Sequence, residues 1–95
     1  MGSNPTGPTI TELIMAFVYM LKGQNGRHYL GATEDLEARI KRHQSGMVHS
    51  TRRLGLPLDL IAFREYPVMS EALAIEKMLK GWKNPTKARL FLEQG

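Results

Sequence analysis

The stretch Phe17-Val18-Tyr19-Met20-Leu21-Lys22-Gly23-Gln24-Asn25-Gly26-Arg27-His28-Tyr29-Leu30-Gly31 decides how the rest of the chain is read. Two apolar runs, 16–22 and 27–32, flank Asn25-Gly26, and Asn-Gly between apolar runs is a hairpin signal. The loop length then fixes which side chains share a face, because side chains alternate along a strand. A two-residue Asn25-Gly26 loop pairs Leu21 with Leu30 and sends Tyr19 and Tyr29 to opposite faces. A three-residue loop, with Gly26 in a left-handed bulge position, pairs Leu21 with Tyr29 and Tyr19 with Gly31. Both tyrosines then lie on one face, and this second register is the one we predict.

Working outward, residues 33–45 read as a helix. Thr33 is a candidate cap, Glu34 and Asp35 suit the first turn, and Gly46 can end it. Leu36, Ile40 and His43 recur on one helical face, with Arg39 at its edge, four residues before His43. Residues 46–58 read as a loop with Gly46, Gly55 and Pro57, and 59–65 as a third strand. Ser70 is a candidate cap for a helix over 71–80 with Gly81 as its stop. Asn84-Pro85 is a cap followed by a proline suited to the first turn, opening a helix to about Leu92. The expected fold is mixed α/β (α+β): a small three-stranded antiparallel sheet flanked by three helices, in the order β-β-α-β-α-α. Residues 1–14, rich in Gly, Pro, Ser and Thr at the start, read as a tag-like or disordered tail, and 15–95 as one domain.

The chain has 95 residues and no cysteine, so disulfides and thiolate metal sites are excluded, and a cytoplasmic setting is expected. No apolar run approaches a membrane span of about 18 residues. The net charge is +4. Residues 22–53 hold seven bases (Lys22, Arg27, Arg39, Lys41, Arg42, Arg52, Arg53) against three acids (Glu34, Asp35, Glu37). About a third of the chain therefore carries the whole excess. Such clustering suggests a polyanion footprint, against the alternative of a solvated basic surface.

The ordered set of motifs resembles the GIY-YIG nuclease domain, and in particular its small bacterial members. Val18-Tyr19 stands in the first triplet and Tyr29-Leu30-Gly31 in the second. Asp35 to His43 is similar to the family helix with its arginine and histidine. Ser45-Gly46 followed by Thr51-Arg52 is similar to the loop of the small members. Glu71 to Lys77 looks like the helix with the metal-binding glutamate. Phe17 departs from the first glycine and Leu30 from isoleucine. Asn84 is the late asparagine available for the site, although its place before Pro85 suits a cap better.

The resemblance implies a divalent-metal-dependent endonuclease acting on DNA, in repair or recombination, with Tyr19, Tyr29, Arg39, His43 and Glu76 catalytic. Each residue also has a plainer reading. Tyr19 as general base needs its phenolate stabilised, because a phenol titrates near pH 10; otherwise both tyrosines simply pack in strands. Arg39 would hold the scissile phosphate with its planar fork of donors, or else pair with Asp35. His43 would bond Tyr19 or the phosphate, or be satisfied locally.

Glu76, three residues from both Leu73 and Leu79, falls on a face expected to be buried, where a lone carboxylate is costly. It would hold Mg²⁺ (or Mn²⁺) as the single protein ligand, or pair with Lys77 or Lys80. Lys22, Arg42, Thr51, Arg52 and Arg53 are candidates for contacts to the DNA backbone, which position without specifying sequence. The competing function is a non-catalytic or weakly catalytic nucleic-acid binding module. In either case a protein partner could supply specificity.

Overall fold

A computed structural model describes residues 15–94. The expected tail over 1–14 lies outside the described residues. The elements are strands β1 (Ala16–Lys22) and β2 (His28–Thr33), helices α1 (Leu36–Gln44) and α2 (His49–Arg52), strand β3 (Asp59–Tyr66), and helices α3 (Met69–Trp82) and α4 (Pro85–Glu93). The sheet order is β2-β1-β3, with both pairs antiparallel. β1 is central, which explains its nearly unbroken apolar sequence: Ala16, Val18, Tyr19, Met20 and Leu21 are all buried.

The two sheet faces carry separate cores. Ala16, Val18 and Met20 point toward α3 and α4, meeting Ala72, Leu79, Ala88 and Leu92. Tyr19 and Leu21 point the other way, against Leu36 and Ile40 of α1 and Leu54 and Leu58 of the following loop. Chain alternation on β1 thus separates a structural face from the face that carries the tyrosines.

The hairpin takes the three-residue form. Tyr19 pairs with Gly31 and Leu21 with Tyr29. Gly26 sits at φ 86, and the Gly23 and Arg27 backbones close the loop by a hydrogen bond of 3.0 Å. The tip of the hairpin then grips the basic loop. The backbone N–H groups of Gln24 and Asn25 donate to the carbonyls of Gly55 and Leu54, at 3.1 and 3.0 Å. Side-chain amides add bonds from Gln24 to Pro57 O and from Asn25 to Arg53 O. A Cβ on Gly23 would overlap the Leu54 backbone, so this close approach requires glycine.

Several local expectations differ from the structure. The α1 cap is Asp35, whose side chain accepts from Ala38 N–H, while Thr33 ends β2 and its hydroxyl receives Asp35 N–H. The 46–58 segment contains a helical turn, α2. Ser70 lies inside α3, which begins after Val68 with no side-chain cap, and Gly81 does not stop it. α3 instead ends at Lys83, in the left-handed conformation at φ 52. A non-glycine residue there costs about 1–2 kcal/mol. Asn84 is the cap of α4, accepting from Lys87 N–H at 3.0 Å, with Pro85 following. Leu73 is exposed, and the buried stripe of α3 runs instead through Ala72, Ile75 and Leu79.

Candidate active site

The chosen hairpin register puts Tyr19 and Tyr29 on one face, with ring centroids 6.3 Å apart. Tyr19 lies over Gly31 on the neighbouring strand. A Cβ at Gly31 would fall 2.5 Å from Tyr19 Cζ and closer still to its hydroxyl. The second triplet's glycine is therefore what lets the phenol cross β2.

α1 brings His43 against both rings, at 5.8 Å from Tyr19 and 5.1 Å from Tyr29. The Tyr19 hydroxyl and His43 Nε2 are 2.9 Å apart, and His43 Nδ1 and Thr51 Oγ1 are 2.7 Å apart. The Thr51 hydroxyl also donates to Val48 O at 3.3 Å. With that proton committed, Thr51 Oγ1 accepts from His43 Nδ1–H. Nε2 then holds a lone pair, and Tyr19 O–H donates to it. Tyr19, His43 and Thr51 are essentially inaccessible to solvent, so this chain of bonds is sealed from competing water.

Burial pushes the Tyr19 phenol well above its ordinary range, with Tyr29 and Glu76 adding to the rise and Arg39 opposing it. Burial likewise lowers His43, helped by the nearby charges of Arg39 and Arg42. At neutral pH the resting pair is a neutral phenol and a neutral imidazole.

The depressed His43 has a consequence for stability. Its unfolded value is near 6.5 and its folded value lies below that. Between the two the unfolded chain binds more protons, so stability is full above about pH 6.5 and is lost as pH falls through the folded value. His28 is also lowered, by partial burial and by Lys22 and Arg89, and contributes in the same direction. The urea midpoint is expected to fall between pH 7.5 and pH 5, and His43→Gln is expected to flatten that slope. An unchanged slope in the variant would exclude His43 as its source.

Arg39 is exposed on α1 with its charge acting on both Tyr19 and His43. No ion pair to Asp35 forms, because Asp35 caps the helix. Glu76, with 17% of its side chain exposed, pairs with Lys80 at 3.1 Å. Lys80 Nζ also lies 5.9 Å from the Tyr29 ring centroid, which links α3 to the tyrosine face around the free edge of β2.

Residues 15–89 match the model of the GIY-YIG catalytic domain. The chain belongs to the GIY-YIG family. GIY-YIG domains form a nuclease superfamily, which implies binding to nucleic acid. Among similar proteins, a UPF0213 protein of Streptococcus pneumoniae serotype 4 is 33% identical over 82% of this chain and 79% of its own. A UPF0213 protein of Staphylococcus aureus strain Mu3 is 32% identical over 82% of this chain and 95% of its own. The solution NMR structure of a UPF0213 protein from Bacillus halodurans superposes with a TM-score of 0.51 at 32% identity, covering 81% of this chain and 82% of that one.

Within this GIY-YIG chain, the structure brings together Tyr19, Tyr29 and His43, with Arg39 and Glu76 close enough to act on Tyr19 electrostatically. Lys22, Arg42, Arg52 and Arg53 are exposed, the setting a backbone contact needs. Thr51 differs: it is wholly buried and its hydroxyl is engaged by His43, so here it positions the imidazole. Sequence reasoning did not find that role, nor the contact between Gly31 and Tyr19, since neither has a local signature. The Glu76–Lys80 pair was visible as an i, i+4 spacing. Among the described residues no helix is long and apolar enough to cross a membrane.

Proposed function

We propose that this chain is a divalent-metal-dependent endonuclease that hydrolyses DNA phosphodiester bonds, in a repair or recombination setting. The observation that carries the reading is the buried chain Tyr19–His43–Thr51, which aims a phenol held by a fixed histidine tautomer into the face that Arg39 overlooks. Tyr19, closed to water in the resting structure, would accept a proton from the attacking water once bound substrate brings that water to its hydroxyl, while its own proton passes to His43 Nε2. Thr51, accepting from Nδ1–H, keeps Nε2 the acceptor until that proton arrives, after which the imidazolium donates through both nitrogens. Tyr29 orients the water or a phosphate oxygen, and Arg39 offsets charge that develops on the phosphate.

Glu76 is the carboxylate that would hold a metal, because it is largely shielded from solvent and close enough to act on Tyr19. A single carboxylate fits Mg²⁺, or Mn²⁺, bound mainly by water and substrate phosphate. Such an ion supplies Lewis-acid charge at the phosphate. Glu76 must leave Lys80 to hold it.

Nicking of supercoiled plasmid is expected to need Mg²⁺ or Mn²⁺, to stop in EDTA, and to fall about a hundredfold or more in Glu76→Ala. Two observations favour a second reading, a DNA-binding module with little turnover: Lys80 already neutralises Glu76, and burial holds Tyr19 protonated. Salt-sensitive DNA binding without nicking would establish that reading and overturn the first.

A further inference from the structure

Beside Tyr29, between the start of β2 and the junction of α3 with α4, lies a cavity of about 360 Å³. Met20, Leu30 and Leu79 give it an apolar lining, Tyr29 borders it at the edge strand, and Lys80 and Lys83 stand among its lining. The volume is at the lower end for pockets that take small ligands. An apolar floor with an aromatic wall and cations suits a nucleobase joined to a phosphate. The cavity lies on the α3 side of the sheet and meets the tyrosine face only at the free edge of β2, where Tyr29 lines it and Lys80, the partner of Glu76, approaches the Tyr29 ring.

Lys83 supplies an independent observation. It occupies the left-handed position after α3, where glycine is the usual residue. It makes no ion pair among the described residues. A strained non-glycine residue that lines a cavity beside an active site points to function, because glycine would serve the backbone better.

We propose that this cavity receives an unpaired nucleotide near the scissile bond, with Lys83 on its phosphate, and that the substrate is therefore unpaired DNA: a single strand, or the transiently opened stretches of a supercoiled plasmid. The proposal rests on the nuclease reading above. A base stacked within a duplex cannot enter such a cavity without leaving its stack, whereas a single strand offers its bases freely.

The test is binding in EDTA, followed by anisotropy and by 2-aminopurine emission, for a labelled single-stranded oligonucleotide and the matching duplex. Lys83→Gly relieves backbone strain while removing the cation; Lys77→Ala removes an exposed cation that does not line the cavity. The wild type is expected to prefer the single strand and to change the 2-aminopurine emission. Lys83→Gly is expected to weaken that binding roughly three- to tenfold and to lower the salt slope by about 0.7. It should also melt no lower than wild type, and Lys77→Ala should bind as wild type does. A protein that prefers the duplex, or a Lys83→Gly variant indistinguishable from Lys77→Ala, overturns the proposal. A Lys83→Gly variant that melts lower would make Lys83 a partner of the α3 dipole, which also overturns it. The expected binding pattern without cleavage in Mg²⁺ or Mn²⁺ would overturn the nuclease reading alone, and no DNA binding at all would overturn both.

Discussion

Tyr19→Phe is expected to lower the rate of plasmid nicking by about 10²–10⁴-fold, the usual contribution of a positioned general acid or base. The substitution removes one oxygen and leaves the ring, so packing against Tyr29 and His43 is kept. It also leaves His43 Nε2 without a donor in a buried position, which costs about 1–3 kcal/mol of stability. That loss is small enough to follow by urea unfolding on the same preparation. The two readouts separate chemistry from folding: a folded variant with salt-sensitive DNA binding and no nicking identifies the phenol as a reacting group. Nicking at the wild-type rate by folded Tyr19→Phe would sink the proton relay outright.

The direction of the two pKa shifts sharpens this expectation. Burial raises Tyr19 and lowers His43, so the resting site opposes formation of a phenolate beside an imidazolium. Arg39 is the protein cation that favours the phenolate, while it disfavours the charged imidazole. On the proposed nuclease reading, substrate and a metal at Glu76 would have to reverse part of a penalty that the fold imposes. Tyr29 is half-buried and lies outside the hydrogen-bond chain, so loss of its hydroxyl should matter less than loss of Tyr19's.

What was legible in the sequence follows from how local each signal is. Asn25-Gly26 between apolar runs was sufficient for the hairpin, because a turn is short-range; it left two registers, and the predicted three-residue form, with Gly26 at φ 86, is the one the strands take. Asn84-Pro85 was legible as a helix start for the same reason. The ends of α3 were not, since a serine inside a helix and a glycine inside a helix look like caps until packing decides otherwise. Ala72, Ile75 and Leu79 bury that helix, and their contacts carry it past Gly81 to Lys83. Glu76 was recognisable as misplaced, but its burial followed from the stripe edge rather than from Leu73, which is exposed. Thr51 was read as a surface hydroxyl because nothing in its neighbours reveals a histidine eight residues earlier that needs a partner.

Gly31→Ala is the second large effect expected, and it tests the reason the tyrosine face exists. Intrinsic strand preference favours alanine over glycine, so any loss must come from contact. The new methyl would fall 2.5 Å from Tyr19 Cζ and 2.9 Å from Cε1, with the hydroxyl nearer still. The ring has little room to yield, being 1% exposed and bounded by His43 and Tyr29. Overpacking of this kind costs about 1–3 kcal/mol. Displacing the phenol by about an ångström should also cost nicking on the order of a hundredfold. A double-mutant cycle with Tyr19→Ala assigns the cause. If the clash is with the phenol, Gly31→Ala becomes nearly neutral once the ring is gone, and the urea midpoint of the double variant matches that of Tyr19→Ala. If the cost persists unchanged without the ring, the glycine serves the strand backbone, and the crossing of Tyr19 over Gly31 is not what it was kept for.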